Sequence, residues 1–331
     1  MKTIRRVPER ILIVSLDNLG DLVFTSALTP ALREAFPDAA IDIWCREYAE
    51  PVARFIPNVR GVVTADPLWA PQPHIPAAAA RRLLQSIAAV RRARYDIALV
   101  TGAPWRTAAA VALTGIPVRI GAARPHNRHF LTHVIAPEDA RKPVVREQAR
   151  LLEPLGITSN TTRYELDLRQ LDARAVAAAN ELPPRFVALH PFASKRNRCV
   201  PLAQWVRVAF NLHAHRVPVV WIGMPHELEE LRRSFTHPVA FYVDRIGDGS
   251  LNATAAVLAR ASLFVGHDSG PLHVAAAFGV PSIGVFAPGQ PDRTFPQGPG
   301  PWRLIHHPDA SAIDASAMLY EIEAHGLFST A

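Results

Sequence analysis

The chain has 331 residues, enough for about two domains of ordinary size. Hydrophobic residues make up 49% and charged residues 20%, a globular composition that excludes a disordered chain. The net charge of +7 is almost all arginine, since lysine stands only at positions 2, 142 and 195. That charge favours phosphates, anionic sugars or an anionic membrane surface as partners. It disfavours nucleic acid, because no Lys/Arg run is interleaved with aromatics.

Arg5, Arg6 and Arg10 precede the apolar run Ile11 to Leu16, which ends at Asp17. The run is too short for a signal peptide, and Ala108 to Val118 is too short to span a bilayer. A soluble chain, or one attached only peripherally to a membrane, is expected. Cys45 and Cys199 suggest neither a metal site nor a disulfide framework, which fits a reducing cytoplasm. The fourteen histidines show no metal-ligand spacing, so no metal is expected.

Ile11 to Val14 reads as a strand, followed by a helix from about Leu22 to Phe36. Further strands are expected at Ile41 to Trp44, Val62-Val63 and Tyr95 to Val100, with Pro67 to Pro76 as a loop. The pattern weakens between about 119 and 180. It restarts with strands at Phe186 to Leu189, Val217 to Ile222, Phe241 to Val243, Leu263 to Gly266 and Ser282 to Phe286, and ends on a helix from about Ile313 to His325. Strands alternating with helices predict two parallel-sheet α/β halves. The expected domains are 1–178 and 179–331, linked near Asn180 to Pro184, with the last helix open to packing back on the first domain.

Ligands of open α/β sheets bind beyond the carboxyl ends of the strands, so the segments after strands carry the functional reading. After Leu263 to Gly266 comes His267-Asp268-Ser269-Gly270-Pro271-Leu272-His273. Pro271 suits a first helical turn, Ser269 or Asp268 can cap it, and Gly270 lets a ligand approach. Such a helix start binds a diphosphate or sugar hydroxyls, and it also fits a capped turn with no ligand. After Val187 to Leu189, the loop holding Ser194, Lys195, Arg196 and Arg198 combines point charge, guanidinium forks and a hydroxyl for phosphate, or is a solvated basic loop.

Glu227, past Val219 to Gly223, can accept bonds from two ribose hydroxyls, or serve as a first-turn helix acid. In the first half, Gly20 opens space after the first strand. Asp21 is then a candidate general base, or a helix cap, with Asp17 as its rival. Arg119, Arg124, His126 and Arg128 form a basic cluster that can dock an anionic acceptor or merely face solvent. The first strand is followed by neither GxGxxG nor a Walker pattern, which disfavours a dehydrogenase or kinase.

Together, Ile11 to Pro30, Phe186 to Trp205, Val219 to Glu227 and Ala261 to Pro288 resemble glycosyltransferase family 9, the ADP-heptose:lipopolysaccharide heptosyltransferases. The Asp-Ser-Gly-Pro-x-His helix start and the Gly-Asp after the first strand are the most specific parts. The resemblance implies a GT-B fold, with two Rossmann-like domains facing across a cleft, acceptor bound by the first and donor by the second. It implies an inverting transfer from an ADP-sugar, with no cofactor and no metal, to a Kdo- or heptose-bearing inner-core lipid at the cytoplasmic face of the inner membrane. By position, Asp21 looks like the base. Ser194, Lys195 and Arg198 look like diphosphate contacts, Glu227 like a nucleoside contact, and Asp268, Ser269 and Gly270 like sugar contacts, with His273 in the same motif. Two departures stand out. Arg198-Cys199-Val200-Pro201 replaces Lys-x-Trp-Pro, removing a packing or nucleoside wall, and His267 stands where Asn or Asp is common. The same architecture also serves sugar-nucleotide 2-epimerases and non-catalytic sugar-nucleotide-binding proteins.

Overall fold

A computed structural model describes residues 7–69, 76–159, 163–234, 242–243 and 250–326. Arg5, Arg6, residues 70–75 of the proline-rich loop and Phe241 lie outside them. The chain divides into two compact units, Met1–Asp167 and Leu168–Ala331.

In the first unit the strands are β1 (Arg10–Ser15), β2 (Ala40–Cys45), β3 (Val59–Thr64), β4 (Ile97–Val100), β5 (Val118–Ala122) and β6 (His133–Ile135). They form one parallel sheet in the order β3-β2-β1-β4-β5-β6. Its helices are α1 (Leu19–Phe24), α2 (Thr29–Ala35), α3 (Glu50–Arg54), α4 (Pro76–Ala93), α5 (Trp105–Leu113) and α6 (Val144–Ala149). Central strands of such a sheet are covered on both faces, which is why Ile11 to Val14 is continuously apolar. Leu12 and Val14 pack with Val100, Ala108 and Val111 in one core layer.

The second unit repeats the plan. Its strands are β7 (Val187–His190), β8 (Val219–Trp221), β9 (Tyr242–Val243), β10 (Leu263–His267), β11 (Ser282–Phe286) and β12 (Trp302–His306). All pairs are parallel, in the order β12-β11-β10-β7-β8-β9. The helices are α7 (Ala173–Ala179), α8 (Leu202–Ala214), α9 (Pro225–Arg233), α10 (Leu251–Arg260), α11 (Gly270–Ala277), α12 (Pro291–Thr294) and α13 (Ala315–Glu323). α7 packs against α10, and the last long helix, α13, packs against α8 and β12 of its own unit. Trp205 on α8 and Trp221 on β8 fill the core beside Val187, Leu189 and Val265.

Both sheets therefore have the doubly wound Rossmann order, with the direction of winding reversing at β1/β4 and at β7/β10. The structure adds β5, β6 and β12, which the sequence pattern did not reveal. β6 is only three residues long, and β12 is a half-exposed edge strand without an apolar run. The single helix expected over 22–36 is broken into α1, a 3-10 turn at Thr25–Leu28, and α2 with Pro30 in its first turn. Proline has no N–H for the preceding helix and suits the start of a new one.

Candidate active site

In the first unit, β1 delivers Asp17 and Asn18 to the carboxyl end of the sheet, beside the end of β4. The Asn18 backbone N–H donates to Asp21 Oδ2 at 3.2 Å. Asp21 is thus the acid of the first turn of α1, positioned by the helix it helps to start. Gly20 and Asp21 are both half-buried, and Gln148 Nε2 on α6 donates to the Asp21 carbonyl at 3.4 Å.

Asp17 has a tighter setting. A Cβ at Gly102, just after β4, would stand 2.3 Å from Asp17 Oδ2, so any side chain there would push the Asp17 carboxylate aside. Gly102 also has φ +67°, followed by Ala103 at +51°, both in the left-handed region. The turn is fixed from both sides. Thr101 donates its N–H and its Oγ1 to the Val14 carbonyl at 3.0 and 2.9 Å. Buried Asn127 donates through Nδ2 to Ala103 O and Ala122 O, each at 2.8 Å. Burial, reinforced by the negative charge of Asp21 and opposed by Arg46, pushes the Asp17 carboxyl up to about 7. Arg46 is itself held by Asp66 at 3.1 Å and lies over the Tyr48 ring. Paired carboxylates in a walled position are equipment for taking up a proton near neutral pH.

The basic cluster expected nearby does not assemble. Arg119 donates through Nε to Phe130 O at 2.7 Å and through Nη1 to Ile116 O at 2.5 Å. Arg124 is bound to Glu147 and to the Ala123 carbonyl. These two guanidiniums hold the loop after β5 to its own unit, and of the four expected residues His126 and Arg128 are exposed.

In the second unit, β7 and β10 lie side by side, and the loops after them meet. Ser194, Lys195, Arg196 and Asn197 are exposed, while Arg198 is half-buried at the end of a 3-10 turn. Arg198 Nη1 stands 4.0 Å from Asp268 Oδ2. The same carboxylate has His273 Nε2 3.4 Å from Oδ1, and its Oδ2 accepts from Thr294 Oγ1 at 3.2 Å. Ser269 occupies the N-cap of α11, but its Oγ donates back to His267 O at 3.0 Å and does not cap the helix. The first N–H groups of α11 therefore meet no capping side chain, which suits an incoming anion. Glu227 accepts the Met224 N–H at 2.7 Å, closing the first turn of α9. Its charge also acts on His190 and Cys199, which places it near the end of β7.

The structure reassigns two residues. Val200 is 1% exposed and packs in the core with Phe192 and Trp205, so its position is one of packing. His267 is likewise 1% exposed, with its ring edge-on to Trp205 at 5.3 Å. It points into the fold.

A model of glycosyltransferase family 9 (heptosyltransferase) matches residues 81–304, two thirds of the chain. The chain belongs to glycosyltransferase family 9. This glycosyltransferase is 24% identical over 290 residues to lipopolysaccharide heptosyltransferase 3 of Escherichia coli, covering 81% of this chain and 80% of that one. Its fold matches the structure of the E. coli ADP-heptose lps heptosyltransferase II with a TM-score of 0.80 at 21% identity, covering 96% and 98% of the two chains. E. coli heptosyltransferase WaaC with ADP matches with a TM-score of 0.76 at 20% identity, covering 96% and 99%. The fold is thus GT-B, built of two Rossmann-like domains.

Of the expected site residues, the structure brings Arg198, Asp268 and His273 into one network. Ser194 and Lys195 lie on the loop leading to it, Ser269 and Gly270 on the helix start beside it. Gly20 and Asp21 belong to the other unit. The sequence reading missed Gly102, Thr294 and the Arg46–Asp66 pair. Gly102 was legible as the turn Thr101-Gly102-Ala103-Pro104 after a strand, but Thr294 belongs to no motif.

Proposed function

We propose that this glycosyltransferase moves a heptose, or a related sugar, from an ADP-sugar to a lipopolysaccharide inner-core acceptor, with inversion at the anomeric carbon. The observation that carries the reading is the Asp268 network at the uncapped start of α11, joined to a basic loop in a family 9 chain. The second domain takes the donor. Ser194, Lys195, Arg198 and the N–H groups at Ser269 and Gly270 receive the diphosphate. They stabilise the charge that grows on it as the sugar leaves, without need of a metal. Asp268, oriented by His273 and Thr294, contacts the sugar, and Glu227 the nucleoside.

The first domain takes the acceptor and supplies Asp21 as base. The acceptor hydroxyl gives its proton to the Asp21 carboxylate. Its oxygen bonds to the anomeric carbon, and the bond from that carbon to the diphosphate oxygen breaks, releasing ADP. A single displacement of this kind inverts the centre. The acceptor is lipid-borne and the chain carries a net +7, which supports peripheral contact with an anionic membrane from the cytoplasm. Among the described residues no helix is long and apolar enough to cross a membrane.

The test is incubation with ADP-heptose, with and without Kdo-lipid A, in parallel with UDP- and GDP-sugars. Sugar transfer that needs the lipid and is fastest with the ADP donor is the expected outcome. Conversion of the donor alone makes the chain an epimerase, and binding with no turnover on any acceptor makes it non-catalytic.

A further inference from the structure

The basic loop after β7 carries the cations of the donor site, yet Ser194 to Asn197 are exposed, and Arg196 makes a surface contact with Glu230 at 3.4 Å. An exposed loop receives a diphosphate well only if its backbone is already fixed, because ordering it on binding costs affinity. The fixing point lies where the loop re-enters the fold. The Val200 backbone N–H donates to His267 Nε2 at 3.2 Å. The other ring nitrogen, Nδ1, lies 3.4 Å from the Val285 carbonyl on β11, and since Nε2 accepts, Nδ1 is the protonated nitrogen of the ring. Trp205 packs edge-on against the ring from α8, and His190, Asp268 and the Val285 carbonyl are the polar groups acting on it. Burial, with the neighbouring His190 imidazole, pushes His267 down to about 3. The ring is therefore neutral, and Nε2 remains an acceptor, at any ordinary working pH.

His267 is followed directly by Asp268, whose carboxylate faces Arg198. One dipeptide at the end of β10 thus holds the loop twice: by its backbone at Val200, and by its last cation at Arg198. From this geometry we propose that His267 is a positioning residue for the donor, fixing the loop so that Lys195 and Arg198 stand ready at the start of α11. The departure from the family pattern at this position then concerns donor affinity and leaves sugar choice to other residues. The proposal rests on the donor reading given above.

The test compares His267→Phe, which removes the acceptor and keeps the bulk, with His267→Gln, which keeps an acceptor on a side chain of similar reach. Lys195→Ala and Arg198→Ala serve as controls. The readouts are ADP affinity by calorimetry, and KM for the donor against kcat, all in the full chain. For His267→Phe, ADP binding is expected to weaken and the donor KM to rise about tenfold, the worth of one buried hydrogen bond, with kcat at saturating donor changed less than about threefold. His267→Gln is expected to restore most of the affinity. If the control variants weaken ADP binding and His267→Phe does not, the proposal is wrong and the donor reading stands. If the controls leave ADP affinity unchanged, the donor reading falls and takes the proposal with it. Equal losses in His267→Phe and His267→Gln also refute it, since packing alone would explain them. Should His267→Phe fail to fold, hydrogen exchange in the unaltered protein decides. The Val200 amide is expected to be strongly protected without ADP, and fast exchange there overturns the proposal.

Discussion

At the end of β1, Asp17 and Asp21 put two carboxylates near a glycine turn, and burial keeps a proton on Asp17 up to about pH 7. At the ends of β7 and β10, the equivalent position in an identically ordered sheet, Lys195, Arg196 and Arg198 stand on the loop after β7, and His190, His267 and His273 are buried. There, burial pushes His190 below its usual range and His267 down to about 3. The topology decides where each unit opens to a ligand, and the residues in the turn decide which charge the opening favours. One switch point holds a proton, and the other gathers cations beside neutral buried histidines.

The largest effect should come from the carboxylate side. Asp21→Asn is expected to cut the transfer rate on the order of a thousandfold while ADP binds as before, measured by radiolabel transfer and calorimetry on one preparation. Near-normal transfer would remove Asp21 as base and leave Asp17 as the acid to examine. Next is the turn beside Asp17. Gly102→Ala forces a β-carbon against Asp17 and strains a left-handed φ, and should cost roughly 2–3 kcal/mol in denaturant unfolding. A neutral result would mean that the turn relaxes easily and does not define Asp17.

On the other side, Arg198→Ala should weaken ADP about tenfold with little change in stability, since one charged hydrogen-bond donor is lost from a half-exposed position. A collapse in stability would make Arg198 a structural partner of Asp268 and spoil the contrast between the two openings.

The smallest net effect is on pH dependence, because the two regions should pull in opposite directions. An unfolded histidine takes a proton near pH 6.5, whereas buried His267 does so only near 3. Across that interval the unfolded chain binds more protons, so stability contributed by His267 falls as the pH drops. Asp17 is the reverse. Its folded carboxyl is protonated up to about 7, against an ordinary 3.8, so its contribution falls as the pH rises through that interval and is level above it. Asp17→Asn, which mimics the protonated acid, should therefore raise the melting temperature at pH 8 and not at pH 4. Equal shifts at both pH values would show that Asp17 is ordinary in its proton affinity.

These expectations separate what is local from what is not. Ile11 to Val14, Phe186 to Leu189 and Leu263 to Gly266 could be read as buried parallel strands, because such strands must be apolar on both faces. Asp21, Lys195, Arg198 and the 268–273 segment could be picked out because each follows its strand within a few residues, so chain order alone places it at the carboxyl end of a sheet. The fold class, and the place of these residues at the strand ends, were therefore contained in the sequence. The tertiary structure decided which of these groups keep their ordinary chemistry. Asp17 becomes a proton holder because the fold buries it beside Asp21 and brings the Gly102 turn, far along the chain, against it. Arg119 and Arg124, cations on paper, are consumed by carbonyls and by Glu147. His267 turns inward to hold Val200. Burial and partnership depend on contacts between segments distant in sequence, and proton affinity and spare charge are set by those contacts.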